Sequence, residues 1–297
     1  MAKTTNETQL KLSFLTETFT EKDYNDYING IIKYNDLCTK YDCSDYIMST
    51  FFKQNNFLKR RELRKNNIKE TIFDNINCIE SAYIFGFYMA DGCITKDNKF
   101  QININEKDLD LLTKIRDYIS PISKLNYKPL YTNNKTGITT NPMYSLSFKC
   151  DHIANTLNTY NCGYNKTYID KSIKDIVPKK FMWDFIRGYF DGDGCISSSK
   201  VVKKHKLKDG KCVEYTHTNV IFKITSKTKK ILDELQDFFI SEGINILVYP
   251  DKTCFTIGNH SLKDLKSIYY KLYNDSNLFM KRKQIKFKEI IENTEVN

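Results

Sequence analysis

The sequence lacks the features that mark membrane-spanning, disordered and disulfide-stapled proteins. No apolar run approaches the roughly 20 residues of a membrane-spanning helix, and the N-terminal MAKTTNETQL has no apolar secretory core. Only 11 Gly and 5 Pro occur among 297 residues, which excludes collagen-like and low-complexity chains. Nine Cys form no C-x-x-C pair, so we expect small buried thiols, without a disulfide framework or zinc ribbon. These absences predict a soluble, intracellular, globular protein with no membrane partner.

Positive charge is both abundant and clustered. The 46 Lys and Arg exceed the 36 Asp and Glu by ten. Residues 53–69 carry a net +6, whereas residues 1–52 carry a net −3. A second basic run occupies 200–211, and Lys281 to Lys283 form a third. Such clusters fit a polyanionic partner, although any single run can also be a solvated surface.

An internal repeat is the most informative feature of the chain. IFGFYMADGCI at 84–94 is echoed by IRGYFDGDGCI at 186–196, an offset of 102 residues. The apolar pattern that follows each copy repeats as well, with an offset that grows to 120. The extra residues fall between 197 and 220, where Asp209-Gly210 is a hairpin-turn signal, so the second copy is predicted to have a longer hairpin.

The repeat divides the chain into three predicted regions and defines the fold class. We predict a helical N-terminal region over 1–70, one half-domain over 76–178 and a second over 181–297. Each half is predicted to run helix, hairpin, helix, hairpin, helix, which gives a pseudo-symmetric α+β protein. The later elements are expected as helices at 108–119, 151–160, 228–240 and 262–273 and as strands around 128–132, 144–149, 246–250 and 254–258.

The N-terminal region contains a helix-turn-helix-like pattern. A short helix before a turn at 41–43 is followed by Ser44, a predicted N-cap, and an apolar-striped second helix. The basic residues directly behind it, Lys59, Arg60, Arg61 and Arg64, favour DNA binding over a plain helical appendage.

The two repeated segments resemble the dodecapeptide motifs of the LAGLIDADG homing endonucleases, over roughly residues 76–290. FIRGYFDGDGCI is a close match, whereas the first copy carries Met89 where the family often has an acid. In the helix-turn-helix pattern, Asp42 stands where Gly is usual. The resemblance implies αββαββα half-domains with paired motif helices and a β-saddle that binds DNA. It also implies a site-specific double-strand DNA endonuclease with a long, tolerant target site and short 3′ overhangs.

A physical reason supports the motif. Gly86, Ala90, Gly188 and Gly192 recur at intervals of four, so two such helices could cross with their backbones nearly touching. Each helix is then predicted to end at an Asp-Gly pair, with the two carboxylates side by side.

Two adjacent carboxylates at helix C-termini predict a divalent metal. Like charges close together are unfavourable unless cations bridge them, and helix C-termini add partial negative charge. Oxygen ligands suit Mg²⁺, with Mn²⁺ expected to substitute. We assign Asp91 and Asp193 as catalytic metal ligands, with the carbonyls of Ala90 and Gly192 as helpers. Asp191 is interpreted as structural or supporting, because its counterpart is Met89.

The resemblance also implies one basic residue per half near the scissile phosphates. GYNKT places Lys166 in that role, and LFMKRK favours Lys283 over Lys281. Glu106 and Ser226 occupy equivalent points before the second helices, where the family orders solvent with a polar residue.

DNA contact is predicted to come from the hairpins, since an antiparallel ribbon fits the major groove. The segments expected to form the saddle are 96–103, 128–148, 198–223 and 246–257. The predicted contact residues there are Lys96, Lys99, Lys128, Lys203, Lys204, Lys206, Lys208, Lys211 and Lys223.

Two other functions remain open on sequence grounds. LAGLIDADG domains joined to a helix-turn-helix also occur in non-catalytic transcription regulators, and related domains act as intron maturases that bind RNA. The retained acid pair favours the nuclease, although maturase activity can coexist with an intact site. We expect a monomer that binds double-stranded DNA, and we expect no intein, because the chain runs from Met-Ala to Glu-Val-Asn without flanking splicing blocks.

Overall fold

A computed structural model describes residues 2–133, 135–206 and 212–295. The chain divides into two compact units, Met1–Ile68 and Lys69–Asn297. Across the described residues, no helix has both the length and the apolarity to cross a membrane. Of the predicted contact residues, Lys208 and Lys211 lie outside the described residues, as do the side chains of Arg64 and Lys206.

The first unit is a bundle of short helices. Its core consists of buried side chains that are mainly aromatic, namely Leu15, Tyr27, Leu37, Tyr41, Met48, Phe51 and Phe52. Asp23 is buried beside this core, where it accepts hydrogen bonds from Lys40 and Tyr41. The helices are α1 (Ala2–Thr18), α2 (Glu21–Asn29), α3 (Tyr34–Lys40), α4 (Asp45–Gln54) and α5 (Arg60–Asn66).

Helix α3 is followed by helix α4 across a turn at 41–44, which is the order of elements predicted for this region. The Ser44 side chain accepts a hydrogen bond from the Ile47 amide, so its predicted role as N-cap is confirmed. Asp42 adopts the left-handed region with φ of 43°, the conformation for which Gly is the usual residue. Its carboxylate accepts a hydrogen bond from Lys11 at 2.7 Å.

The second unit contains both copies of the repeat. The first copy has α6 (Ile79–Asp91), β1 (Gly92–Ile94), β2 (Lys99–Asn105), α7 (Leu109–Ile119), β3 (Leu125–Lys128), β4 (Tyr131–Thr132), β5 (Thr139–Thr140), β6 (Met143–Lys149) and α8 (Asp151–Thr159). The second has α9 (Met182–Asp193), β7 (Gly194–Lys206), β8 (Cys212–Ser226), α10 (Lys229–Ser241), β9 (Leu247–Asp251), β10 (Cys254–Asn259) and α11 (Leu262–Tyr273), and α12 (Lys281–Glu295) follows.

The two copies have the same topology, which confirms the α+β prediction and the paired halves. Each forms a four-stranded antiparallel sheet, in the orders β1-β2-β6-β3 and β7-β8-β10-β9. The second hairpin is longer, as predicted: β7 and β8 have 13 and 15 residues, against 3 and 7 in β1 and β2. The strand predicted around 128–132 begins instead at Leu125 and ends before Pro129, which has no amide proton for a ladder.

Each sheet buries one face and leaves the other open. Along β2 the buried Phe100, Ile102 and Ile104 alternate with partly or fully exposed polar residues. Along β8, Val220, Phe222 and Ile224 are buried in the same way. The open faces are therefore polar, as strand alternation requires.

Helices α6 and α9 cross through their glycines. A Cβ placed on Gly86 would lie 2.1 Å from the Phe185 carbonyl oxygen, and one on Gly188 would lie 2.0 Å from that of Tyr83. No side chain fits at either position, so the predicted close crossing is confirmed.

The cysteines are less buried than expected. Only Cys150 and Cys162 are buried, whereas Cys93 and Cys212 are exposed. These two lie on strands at positions that face solvent, so the expectation of uniformly buried thiols is wrong.

Candidate functional site

The ends of the crossed helices bring two carboxylates together. Helix α6 ends at Asp91 and α9 ends at Asp193. A Cβ on Gly192 would lie 2.2 Å from the Ala90 Cβ and 3.3 Å from Asp91 Oδ2. Gly192 therefore keeps the two helix ends close and leaves room for the Asp91 carboxylate.

Burial makes both carboxylates hard to ionise, and the charge of Asp91 adds to this effect at Asp193. The pKa of Asp193 is raised to about 6, first by surrounding protein and next by the negative charge of Asp91. The pKa of Asp91 is raised by burial, an effect that Lys283 and Lys166 oppose. Both side chains still reach solvent. The pair is thus accessible and would gain from a cation placed between the carboxylates.

Lys166 lies next to this pair on a short turn. It begins the 3-10 turn Lys166–Tyr168, and its Nζ donates to the Met89 carbonyl at 2.8 Å. The side chain is buried, and burial, followed by the charge of Lys171, lowers its pKa to about 8. The Lys166 ammonium is therefore held at the end of α6.

Lys283 lies on α12 and contacts the end of α9. Its Nζ donates to the carbonyls of Phe190 at 2.7 Å, Gly192 at 3.1 Å and Gly194 at 2.7 Å. Burial lowers its pKa to about 8 as well. The Gly192 carbonyl, predicted to help hold a metal, thus already accepts a hydrogen bond.

The neighbouring Lys281 has a different environment. It is exposed and pairs with Asp110 at 2.9 Å, away from the helix ends. Of the two lysines, the structure brings only Lys283 to the end of α9.

Two cavities open beside the carboxylates, and residues from both halves line each of them. The Asp193 cavity, of about 310 Å³, is lined by Met89, Ala90, Lys166, Thr167, Lys171, Tyr189, Asp193, Thr225, Ser226, Lys227 and Cys254. The Asp91 cavity, of about 430 Å³, is lined by Asp91, Asn103, Ile104, Asn105, Asp108, Thr139, Thr140, Asn141, Pro142, Met143, Met280 and Arg282.

The charged groups in the two cavities differ. The Asp193 cavity contains three lysines, at positions 166, 171 and 227. In the Asp91 cavity the cation is Arg282, whose Nε donates to both oxygens of the buried Asp108 at 3.0 and 2.8 Å. The pseudo-symmetry of the fold therefore does not extend to its charges.

The two predicted solvent-ordering residues lie in unequal places. Ser226 lines the Asp193 cavity, and its Oγ accepts from the Thr228 amide at 3.2 Å. Glu106 is exposed on the 3-10 turn Glu106–Asp108, and its neighbours Asn105 and Asp108 line the Asp91 cavity in its place.

Asp191 is fully buried and ties the two halves together. One of its oxygens accepts from the Tyr83 hydroxyl at 2.7 Å and from the Met280 amide at 2.8 Å. Burial raises its pKa to about 6. These contacts agree with the supporting role inferred from the sequence.

The predicted DNA-contacting lysines are distributed over the hairpins. Lys99 pairs with Asp97 and Lys204 pairs with Glu214, both at 2.7 Å, on exposed strands. Lys128 lies 3.4 Å from the Asn103 amide oxygen. Lys203 is exposed, and Lys223 is half-buried on the open face of β8. Lys96 lies 5.8 Å from the centre of the Tyr164 ring.

The basic residues of the first unit are partly used in its own packing. Lys59 lies 4.5 Å from the centre of the Tyr34 ring, and the Arg60 amide donates to the Tyr27 hydroxyl at 3.0 Å. Arg61 is exposed.

Several polar residues of the site were not identified from the sequence. Lys171, Lys227, Asp108 and Arg282 line the cavities but lie outside the repeated motif. On β2, Gln101 and Asn103 alternate with the buried residues and face the open side of the sheet. That alternation could have revealed them, because Gln and Asn are suited to reading adenine in the major groove.

The donor set fits a metal that keeps much of its own water. Among the described residues, no group of three or more His, Cys, Asp or Glu side chains could hold a metal ion. Asp91 and Asp193 offer two carboxylates instead, and each lacks a direct ion pair in the described part of the chain. Mg²⁺ commonly binds through one or two carboxylates plus water and phosphate, so these residues fit it.

Comparisons with known proteins agree on the fold. The homing endonuclease I-WcaI, solved bound to its DNA recognition sequence, superposes with a TM-score of 0.50 at 17% identity, over 75% of this chain and 91% of that one. The LAGLIDADG meganuclease I-CpaMI, solved bound to uncleaved DNA, gives 0.49 at 13% identity, over 72% and 92% of the two chains. The I-WcaI superposition therefore shows that the chain has the fold of the LAGLIDADG homing endonucleases, as the motif predicted.

The proteins that are similar in sequence have names of a different kind from the structural neighbours. No protein-family model matches this chain. It is 29% identical over 195 residues to the DNA-directed RNA polymerase subunit Rpo1C of Methanocaldococcus jannaschii, over 63% of this chain. It is 28% identical over 135 residues to a DNA polymerase of Acanthamoeba polyphaga mimivirus, over 41% of this chain. The matches span only 21% and 7% of those two proteins, so the likeness is to a segment of each.

Proposed function

We propose that this protein is a site-specific endonuclease that makes double-strand breaks in DNA with a divalent metal. The observation that carries the proposal is the meeting of Asp91 and Asp193 at the ends of two glycine-packed helices, with a buried lysine beside each helix end. The fold, the net charge of +10 and the polar open faces of both sheets support a double-stranded DNA substrate.

The chain's own residues supply positioning and charge. Asp91 and Asp193 would hold Mg²⁺, or Mn²⁺ in its place, with the Ala90 and Gly192 carbonyls as the further candidate ligands. When bound, such an ion activates water and stabilises charge on the phosphate. Lys166, which lines the Asp193 cavity, and Lys283, whose ammonium lies at the end of α9, each have a pKa of about 8 and would offset negative charge on a phosphate bound at the carboxylates. Ser226 and the Asn105–Asp108 turn are placed to order water.

The polar sheet faces would bind the DNA over a long site. Lysines on the hairpins would contact phosphates, which gives affinity and salt dependence without base specificity. We propose that the first unit lengthens this contact through its exposed basic residues. We further propose that the protein acts as a monomer, because one chain supplies both acidic residues and both cavities.

The first test is cleavage of a plasmid library that carries randomised or genomic DNA, with Mg²⁺, with Mn²⁺ and with EDTA. Wild type is expected to give discrete double-strand breaks only with metal. Asp91→Asn and Asp193→Asn are each expected to lower the rate by about a thousandfold or more, since several kcal/mol of transition-state stabilisation are lost. Asp233→Asn is the matched control, because that carboxylate pairs with Lys229 on the exposed side of α10.

Binding measurements separate this proposal from its alternatives. Mn²⁺ binding, followed by electron paramagnetic resonance, is expected to weaken in both acidic-site variants and to stay unchanged in Asp233→Asn. Tight DNA binding by wild type without cleavage under any divalent metal would favour a transcription regulator. Tight and specific binding of intron RNA under the same conditions would favour a maturase.

A further inference from the structure

Lys166 has little local structure to hold it in place. It begins a three-residue 3-10 turn and follows Asn165, which adopts the left-handed region with φ of 59°. Such short turns have poorer hydrogen-bond geometry than an α-helix. The backbone of Lys166 therefore needs a partner from elsewhere if its ammonium is to stay at the Met89 carbonyl.

Its counterpart Lys283 has no such need. Lys283 lies in the first turn of α12, a helix of 15 residues, and its amide donates to the Met280 carbonyl at 3.0 Å. The helix itself sets the direction of the side chain.

Lys171 supplies the missing partner of Lys166. Its Nζ donates a hydrogen bond to the backbone carbonyl oxygen of Lys166. Its side chain is buried, with 6% exposure, and lines the Asp193 cavity together with Lys166. Lysine is rarely this buried without a paired carboxylate, and no ion pair to Lys171 occurs in the described part of the chain.

In the second half, the lysine at the same distance along the chain is exposed instead of buried. Lys288 follows Lys283 by five residues, as Lys171 follows Lys166. Lys288 is exposed on α12 and pairs with Glu292 one helical turn later. A buried lysine at this spacing thus occurs only where the local backbone is a turn instead of a helix.

We propose that Lys171 is a positioning residue, which fixes the Lys166 backbone so that the Lys166 ammonium reaches the Asp193 cavity. This inference rests on the proposed function for the role of Lys166 in cleavage. The contact from Lys171 to Lys166, and from Lys166 to Met89, links the turn to the end of α6.

The test compares Lys171→Met with Lys171→Arg and with the matched surface variant Lys288→Met. Modification of individual lysines by acetic anhydride, resolved by mass spectrometry, reports the accessibility of Lys166 without any need for cleavage. Lys171→Met is expected to raise the labelling rate of Lys166 severalfold. In Lys171→Arg, which keeps a donor, and in Lys288→Met, we expect Lys166 to stay protected from labelling.

Cleavage gives the second measurement. The single-turnover rate of Lys171→Met is expected to fall about tenfold to a hundredfold, as for a catalytic group displaced by about 1 Å, with DNA affinity unchanged. Lys171→Arg is expected to restore most of the rate.

The outcomes distinguish this inference from the proposed function. Unchanged Lys166 labelling in Lys171→Met, or an unchanged cleavage rate, overturns the positioning role. Failure of wild type to cleave any DNA overturns the proposed function, while the labelling still decides whether Lys171 holds Lys166. If Lys171→Met does not fold, Lys171→Gln, which is too short to reach the carbonyl, carries both measurements.

Discussion

The two halves of the second unit place equivalent lysines by different means. Lys166 donates to one carbonyl from a turn, whereas Lys283 donates to three carbonyls from a helix. The sequence repeat makes these lysines look interchangeable, yet their backbones and hydrogen bonds are not. In this chain the two helix ends are therefore more alike than the lysine segments that contact them.

The same comparison explains why one copy has Met89 where the other has Asp191. In the second half, Asp191 accepts from the Met280 amide and so fastens the segment that leads into α12. In the first half, the Tyr88 hydroxyl donates at 2.6 Å to the Cys162 carbonyl, just before the Lys166 turn. Each half thus ties its lysine segment to its own motif helix, but the tie uses a different residue.

The largest expected effect comes from a substitution at the crossing of helices α6 and α9, to which each half contributes one helix. Gly188→Ala would place a Cβ 2.0 Å from a backbone oxygen that cannot move aside, so the helices must separate. We expect a loss of about 3 kcal/mol in the free energy of unfolding, measured by urea denaturation.

Gly243→Ala is the control for this change. Gly243 also has a special conformation, with φ of 77°, but nothing lies within 4 Å of its Cβ position. Its loss should be about 1 kcal/mol, from backbone strain alone. Equal losses at the two positions would contradict the tight helix crossing.

The next effect separates the two lysines. Lys283→Met removes a donor from three carbonyls, of which that of Phe190 also accepts from the Gly194 amide, whereas Lys166→Met removes a donor from one. We therefore expect Lys283→Met to lower the free energy of unfolding by about 2 kcal/mol more than Lys166→Met, measured by urea denaturation.

Lys281→Met is the matched surface control, since its pair with Asp110 is exposed and should contribute less than about 1 kcal/mol. If Lys166→Met lowered the free energy of unfolding more than Lys283→Met, the difference in hydrogen bonding between the two lysines would be contradicted.

The smallest effect is a pH dependence in which stability and activity change in opposite directions. Asp193 and Asp191 both have a pKa raised to about 6 in the folded protein, above the usual value of 3.8. The folded state then binds more protons than the unfolded state between about pH 4 and 6, so stability should rise as the pH falls through that range. Cleavage should fall over the same range, because a protonated Asp193 is a poor metal ligand.

Thermal melts and single-turnover cleavage from pH 5 to 8, at a metal concentration below saturation, test this pair of trends. Asp193→Asn should reduce the slope of stability against pH and leave the part that comes from Asp191. If stability and cleavage both rose or both fell as the pH is lowered, the raised pKa of Asp193 and its role as a metal ligand would be contradicted.

Much of the fold followed from local sequence patterns. The repeated motif, the alternation along Phe100 to Ile104 and the glycines at intervals of four predicted the paired halves and the helix crossing. Strand ends depend on single residues such as Pro129, and for that reason the strand predicted around 128–132 lies about three residues too late, since β3 begins at Leu125. Lys171, Asp108 and Arg282 were not predicted, because nothing in their neighbouring sequence shows that they share a cavity with Asp91 or Asp193.

The sequence by itself determined the helix pair and the meeting of two carboxylates, because small residues and Asp-Gly ends act through local periodicity and excluded volume. Only the tertiary structure decided which cations face each carboxylate, how deeply Lys166 and Lys283 are buried, and that Lys171 holds Lys166. The burial and the pKa of a side chain depend on atoms that are distant in the chain but close in space. A single sequence does not show which atoms those are.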